Sequence, residues 1–403
     1  MKILVADKFE AWGLDQLKAL GAEVVSDPSL KDESLSRRVA EFDPGVLIVR
    51  STKVTRDVLR AGRNLRAVIR AGSGYDTIDV EAASELGVTV SNCPGLNASA
   101  VAELTIGLII SLDRRIPDNV ADFRAGKWNK KKYSAAALGL KGRTIGIIGA
   151  GRIGTLVARA AISLDMNVLY YHLGRQRRLI DFPNAVRAEL NDLLRQSDVI
   201  SVHIPGGPST KNLIDAERIA LMKPTALLIN TSRGGIIDEE ALAAALREGR
   251  LRGAALDVYA NEPPANAEEF LTPLSDVPHL YGTHHIGAST KQAQLAVAEE
   301  VVRLVREYKR TGEMPNCVNF RQTGEQNPML VVRLRNKPGG LAHVFAVLSE
   351  ADINVEEMDH VIYDGGAAAC AHIRINRRPD EATCAKITDG HENVLGVEIL
   401  DVD

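Results

Sequence analysis

Lys141–Tyr171 reads KGRTIGIIGAGRIGTLVARAAISLDMNVLYY, and the architecture of the chain follows from it. Thr144–Ile148 is a short, β-branched apolar run of the kind a buried strand uses. It leads into Gly149-Ala150-Gly151-Arg152-Ile153-Gly154, a G-x-G-x-x-G. Ile153, Leu156, Val157, Ala160 and Leu164 then recur at helical spacing, which predicts a helix with those residues on its apolar face. A second apolar run, Val168–Tyr171, closes a β-α-β unit. In such a unit Gly149 permits the tight turn, Gly151 lets backbone approach a pyrophosphate, and Gly154 lets helix and strand pack closely. Backbone N–H groups at the helix start, with their partial positive charge, would hold the phosphates. A glycine turn alone is weak evidence, because such turns are common. Set between a strand and a helix, it points to a dinucleotide.

One position departs from the pattern. An acidic residue that grips the adenosine ribose is expected at the end of the second strand, roughly 20 residues beyond the glycines. His172 stands there, followed by Leu173-Gly174-Arg175-Gln176-Arg177-Arg178, and no carboxylate appears before Asp181. Two readings stay open: a solvated basic loop, or a site suited to a 2′-phosphate and hence to NADP as well as NAD.

The 403 residues are 45% hydrophobic and 25% charged, with a formal net charge of −3. That composition describes a globular chain of two or three domains and gives no reason to expect nucleic acid as a partner. Cys93, Cys317, Cys370 and Cys384 lie far apart with no C-x-x-C, so they read as thiols in a reducing compartment, and no metal site is expected. The N-terminal apolar run is too short for a signal peptide. The run near Leu104–Leu112 falls short of the roughly 18 residues of a membrane span. A cytoplasmic protein without membrane association is the expectation.

Ile3–Ala6, Glu23–Val25, Val46–Val49, Ala67–Ile69 and Val88–Ser91 are short apolar strands, with a helix through Leu14, Leu17 and Leu20 after the first. The alternation predicts a parallel sheet covered by helices. Two strand ends are basic: Arg50-Ser51-Thr52-Lys53 and Arg70-Ala71-Gly72-Ser73-Gly74. Ligands in such sheets bind beyond the carboxyl ends of strands, so an anionic substrate is one reading of this pair and solvated arginines are the other. Pro94-Gly95 marks a break, after which a long helix is expected from near Ser99, with Glu103 completing its cap. Further strands are expected at Val199–His203, Ala226–Asn230, Ala254–Val258 and Leu280–Thr283, which suits a doubly wound domain.

Ser289–Arg310 reads as a helix with Leu295, Val297, Val301, Leu304 and Val305 on its apolar face, returning to the first domain. Thr311–Asn327, polar and with Gly312, Pro315 and Gly324, reads as a linker. Beyond it, Leu330–Leu334, a helix over Leu341–Ser349, Ile353–Met358, Ala369–Ile375, a helix near Glu381–Thr388 and Val397–Val402 spell β-α-β-β-α-β, a small α+β module.

Three polar groups follow strands of the doubly wound region: Asn230-Thr231-Ser232-Arg233, Asp257 to Glu262, and His284-His285-Ile286-Gly287-Ala288. Hydride transfer from an alcohol needs one group to accept the hydroxyl proton, and histidine is suited to that near neutral pH. A neighbouring carboxylate orients it, and an arginine fork fits a substrate carboxylate. Singly, each has an ordinary surface reading. Together, after a nucleotide-binding unit, they suggest a dehydrogenase.

The segments GAGRIG, NTSRGGIIDEEAL, ALDVYANEPP and HHIGAST closely resemble the D-isomer-specific 2-hydroxyacid dehydrogenases. RAGSGYDTIDVEAA and NKPGGLAHVFAVLSEADINV look like the phosphoglycerate-oxidising branch that ends in an ACT domain. The resemblance implies a Rossmann-type NAD(P) domain, 99–286, inserted in a flavodoxin-like substrate domain, 1–98 with 287–322, and a linker with ACT domain at 323–403. It implies Arg233 on the substrate's carboxylate and carbonyl, His285 as proton shuttle and Glu262 as its support. His284 stands where the family usually has proline. The resemblance also implies that Gly149, Gly151, Arg152, Ile153, Gly154, His172, Arg175, Ser73, Ile204, Thr231, Asp257, Gly287 and Ala288 meet the dinucleotide. Arg50, Ser51, Lys53, Arg70, Gly72, Ser73 and Gly74 would join Arg233 and His285 around a phosphorylated 2-hydroxy acid.

The activity so implied is oxidation of D-3-phosphoglycerate to 3-phosphohydroxypyruvate. The alternatives are an NADPH-dependent glyoxylate or hydroxypyruvate reductase, which generally lacks an ACT module, and a corepressor-like binding protein of the same fold. Asn336 and Asn354 match the effector contacts of serine-regulated members, whereas Leu334 stands where those members carry histidine. A homodimer or homotetramer, formed through the Ser99–Leu112 helix and the ACT modules, is the family expectation.

Overall fold

Ile3, Leu4 and Val5 are consecutive and all buried. A strand buries neighbouring side chains only when both its faces are covered, as in a parallel sheet with helices on each side. The computed structural model describes residues 1–172, 182, 184–263, 269, 270, 272–320 and 327–401. They fall into two compact units, Met1–Asn319 and Phe320–Asp403.

The first unit holds two parallel sheets. In one, β1 (Lys2–Val5), β2 (Glu23–Ser26), β3 (Val46–Val49), β4 (Ala67–Arg70) and β5 (Thr89–Asn92) lie in the order β2-β1-β3-β4-β5. Ile3, Val5, Val46, Ile48 and Ile69 face one layer, which includes Leu17 and, from the helix Lys291–Thr311, Val301, Leu304 and Val305. Leu4, Leu47, Val49 and Val68 face the other, with Leu35, Val39 and Val58. The helix Lys291–Thr311 thus carries the chain back to the first sheet.

The other sheet contains β6 (Thr144–Ile148), β7 (Asn167–Tyr171), β8 (Val186–Arg187), β9 (Val199–Val202), β10 (Leu227–Asn230), β11 (Gly253–Leu256) and β12 (Leu280–Gly282). Its order is β12-β11-β10-β9-β6-β7-β8, so the chain winds one way to β8 and then returns past β6 to β9. A crevice opens at such a reversal, beyond the carboxyl ends of the strands. The turn after β6 stands at that point. In the first sheet the corresponding reversal lies between β1 and β3.

The second unit is an antiparallel sheet of β13 (Met329–Arg335), β14 (Val355–Ile362), β15 (Ala368–Ile375) and β16 (Val394–Leu400), ordered β14-β15-β13-β16. Leu330, Val332, Leu334, Ala371, Ile373 and Ile375 alternate along β13 and β15 toward Val344, Val347, Leu348 and Ile387 of the helices Gly340–Glu350 and Glu381–Asp389. Among the described residues no helix is long and apolar enough to cross a membrane.

Four local expectations are corrected. The long helix runs Ala98–Arg114 without a side-chain cap, and no bond of the Ser99/Glu103 kind forms. Instead the Asn97 side chain accepts a hydrogen bond from Ser73 Oγ at 2.9 Å, tying the helix start to the β4 loop. In the helix Arg152–Ser163 Val157 is buried and Ile153 and Leu156 pack on the core as expected, but Gly154, Ala158 and Ala161 share the buried face, small groups that let the helix lie close to its neighbours. Leu164, just past its end, is 37% exposed. Leu295 is 43% exposed, because the buried face of its helix is set by Ala298, Val301, Val302 and Val305 instead. Finally, the first part of the linker is pinned: Asn319 Oδ1 accepts from Val90 N at 2.8 Å, its Nδ2 donates to Val88 O at 2.9 Å, and Met314 is 4% exposed.

Candidate active site

Gly149 has φ +106°, and a Cβ there would collide with the His203 carbonyl that follows β9. Only glycine lets β6 turn so close to the neighbouring strand. A Cβ on Gly154 would meet the Gly149 carbonyl, whereas one on Gly151 would meet nothing within 4 Å. Gly151 therefore faces open space at the start of the 12-residue helix Arg152–Ser163, whose first N–H groups lack intrahelical acceptors. This cradle fits a pyrophosphate. Ile204 is buried, and its methyl lies 2.8 Å from where a Gly149 Cβ would stand. The exposed Arg152 donates to the Pro94 carbonyl across the crevice. Ile153 is partly buried and packs on the core that includes Ile145 and Ile147. His172 directly follows β7 and is partly buried; Arg175 lies outside the described residues.

The carboxyl ends of β10, β11 and β12 deliver the other candidates to the same end of the sheet. After β10, Asn230 Oδ1 accepts from Ser232 N at 3.0 Å and its Nδ2 donates to the Arg233 carbonyl at 2.8 Å, which folds the turn back. Thr231 is buried against Thr105, with 2.8 Å between hydroxyls. After β11, Asp257 is 1% exposed, and its carboxylate accepts from Thr283 Oγ1 at 2.6 Å, Ile286 N at 2.9 Å and Gly287 N at 2.8 Å. Asp257 thereby holds the turn that follows β12. On that turn His285 adopts φ +51°, a left-handed conformation a non-glycine residue keeps only when its surroundings impose it. Ala288, next along, is partly buried.

His285 Nδ1 lies 2.7 Å from Glu262 Oε2. An ionised carboxylate only accepts, so Nδ1 carries the proton and Nε2 is left for another partner. Tyr259 N donates to Glu262 Oε1 at 3.0 Å. Burial pushes the Glu262 carboxyl up, but the hydrogen bond and charge of His285, the Tyr259 N–H and Arg233 outweigh it, and the net shift is downward. Glu239, whose Oε1 accepts from Ala260 N at 2.6 Å, moves the other way, raised by burial and by the charge of Glu262.

Arg233 Nε donates to Asp76 Oδ2 at 3.0 Å and Nη1 to the Ser232 carbonyl at 2.8 Å. Arg70 and Arg50 are close enough that their charges act on one another, as does that of Arg233 on Arg70. A Cβ on Gly72 would run into the Arg70 guanidinium, and one on Gly74 into that of Arg233, so both glycines make room for arginines. Asp7, at the β1/β3 reversal, accepts from the backbone N–H of Arg50, Ser51 and Thr52 at 2.7, 3.1 and 3.0 Å. Ser51 Oγ also donates to Asp7, at 2.9 Å, so its hydroxyl shapes the loop. Ser73 Oγ is similarly committed: it accepts from Gly95 N at 3.0 Å besides its bond to Asn97. Lys53 is exposed.

Residues 106–287 match the family described as D-isomer specific 2-hydroxyacid dehydrogenase, NAD binding domain. The chain is 34% identical over 403 residues to the D-3-phosphoglycerate dehydrogenase of Escherichia coli, covering 98% of this chain and 96% of that one. This chain belongs to the D-isomer-specific 2-hydroxyacid dehydrogenases. Its identity to the D-3-phosphoglycerate dehydrogenase of Methanocaldococcus jannaschii is 39% over 322 residues, of which the chain spans 60% of the relative's length. A Staphylococcus aureus NAD-dependent formate dehydrogenase in complex with NAD superimposes with a TM-score of 0.67 at 28% identity, covering 78% of this chain and 96% of that one.

Asp7, Asp76 and the bracing role of Asp257 are what a reading of this 2-hydroxyacid dehydrogenase's sequence misses. Each is an acidic residue in a loop just after a strand, and that position was the one available signal. In the second unit, Asn336 Nδ2 donates to the Gly366 carbonyl at 2.8 Å, beside a cavity lined by Arg335, Lys337, Pro338 and His360. Asn354 Nδ2 donates to Glu356 at 3.2 Å.

Proposed function

We propose that the chain oxidises D-3-phosphoglycerate to 3-phosphohydroxypyruvate, with hydride transfer to NAD(P), the first step of the phosphorylated route to L-serine. The observation that carries this reading is that the charges of Arg50 and Arg233 both bear on Arg70, and that of Arg233 also on Glu262, which holds His285. Burial, then the charges of Arg233 and Arg50, push Arg70 down to about 10. It stays a cation at neutral pH, only partly offset by the charge of Asp76, and its Nε is buried without a hydrogen-bond partner. A substrate bearing both a carboxylate and a phosphate supplies the missing charge and acceptors; a carboxylate alone supplies less.

In this proposal Arg233 binds the substrate carboxylate and the oxygen at C2. His285 Nε2 takes the C2 hydroxyl proton while Nδ1–H stays on Glu262, which steadies the imidazolium that forms. Gly149, Gly151 and Gly154 with the following helix would hold the dinucleotide, whose nicotinamide supplies the hydride acceptor. The proposal assigns 1–98 with 287–322 to the substrate and 99–286 to the dinucleotide. It takes serine as the effector at Asn336 and Asn354, and a homodimer or homotetramer as the assembly.

The test is kcat/KM for D-3-phosphoglycerate, D-glycerate and glyoxylate with both coenzymes. Charge-assisted hydrogen bonds to phosphate are worth about 1.5–3 kcal/mol each, so the phosphate should confer roughly 10-fold to 100-fold or more over D-glycerate. A preference for glyoxylate and NADPH would replace the proposal with a reductase.

A further inference from the structure

Asp76 belongs to no pair that the motifs foresee, yet it is bonded to Arg233 across 157 positions of chain. A guanidinium has five N–H bonds in one plane. The Arg233 Nε–H goes to Asp76, and one Nη1–H goes to the Ser232 carbonyl. What remains is the edge formed by Nη1 and Nη2. The loop is shaped around that arrangement: a Cβ on Gly74 would strike Nη2 and lie 3.2 Å from Asp76 Oδ2. Along the stem, a Gly206 Cβ would stand 3.1 Å from Arg233 Cγ. Asp76 also acts on Arg70, where its charge opposes those of Arg233 and Arg50.

We propose that Asp76 is a positioning residue for Arg233: by taking Nε it turns the guanidinium plane so that the Nη1/Nη2 edge meets the substrate carboxylate. The inference rests on the proposed use of Arg233 as the carboxylate fork. Two roles for Asp76 predict opposite signs. If it only moderates the positive field, removing its charge tightens the binding of every anion. If it orients Arg233, removing it weakens a carboxylate that needs two aligned N–H bonds and leaves a phosphate held by Arg50 and Arg70 unharmed.

Calorimetric titration of the full chain with oxalate and, separately, inorganic phosphate distinguishes these, using the parent, Asp76→Asn and Asp76→Glu. Asp76→Asn should weaken oxalate roughly 10-fold, the worth of one charge-assisted bond, while phosphate binds as before or more tightly. Asp76→Glu should recover most of the oxalate affinity. Oxalate binding that is unchanged or tighter in Asp76→Asn overturns the inference. So does equal weakening of both anions, which marks a loop that has lost its shape, and so does a parent that does not bind oxalate. Turnover of D-3-phosphoglycerate by the parent is measured apart: its absence with the oxalate pattern intact defeats the substrate assignment and leaves the orienting role standing.

Discussion

At the scale of single residues, the proposed proton chemistry rests on the 2.7 Å contact between His285 and Glu262. His285→Gln should lower kcat by roughly 10²–10⁴, the usual worth of a general base, with dinucleotide affinity nearly unchanged. His284→Gln should keep most activity; a reversed pair of results would move the shuttle to His284. Glu262 sets the acid side. Its carboxyl is held below the ordinary range, so its contribution is complete above an unfolded pKa of about 4.3 and is lost as pH falls through the lower folded value. Melting curves from pH 3 to 6 should show a steeper acid-linked loss in the parent than in Glu262→Gln, which keeps the other depressed carboxyls such as Asp198 and Glu300. An identical decline in both would detach Glu262 from the linkage. His172 decides the coenzyme if it faces the ribose. His172→Asp restores a carboxylate that grips the ribose and repels a 2′-phosphate, and it should shift the NAD/NADP ratio of kcat/KM roughly 10-fold or more toward NAD. An unchanged ratio would place the ribose elsewhere.

At the scale of elements, the turn after β12 is held by one carboxylate on the neighbouring strand end. Asp257 receives three hydrogen bonds, two of them from consecutive backbone N–H groups. In Asp257→Asn an amide NH₂ replaces one acceptor and confronts a donor, leaving a buried group unpaired at about 1–3 kcal/mol. The melting temperature should fall, and kcat should fall further than stability explains, because His285 sits on that turn. A variant of full kcat would show that the turn keeps its shape unaided. The glycine turn shows how much of an element was legible: the three glycines, the strand before them and the helix after them were all readable. The buried face of that helix was legible in part: Val157 is buried and Ile153 and Leu156 pack on the core as expected, but Ala158 and Ala161 are small groups that a search for large apolar residues passes over.

At the scale of the whole chain, Met1–Asn319 and Phe320–Asp403 each have their own core. Truncation after Phe320 should leave a folded, active enzyme, since Asn319 and its bonds to β5 are kept. Any inhibition by serine should disappear. Serine inhibition that survives truncation would put the effector site in the first unit. An insoluble product would show that the first unit depends on the second.

The sequence by itself determined most strands of both units, the glycine turn with its flanking strand and helix, and the motifs that carry the candidates Arg233, Glu262 and His285, because these rest on local periodicity and short motifs. Tertiary structure decided the strand orders, the seating of Met314–Asn319 on the first sheet, and which carboxylates meet the loops after β3 and β10. Asp7 accepts from the Arg50 backbone N–H across 43 positions, and Asp76 accepts from the Arg233 guanidinium across 157. Nothing local selects one acidic residue among many as the partner of a given arginine. That choice is made only when the carboxyl ends of separate parallel strands are brought to one crevice.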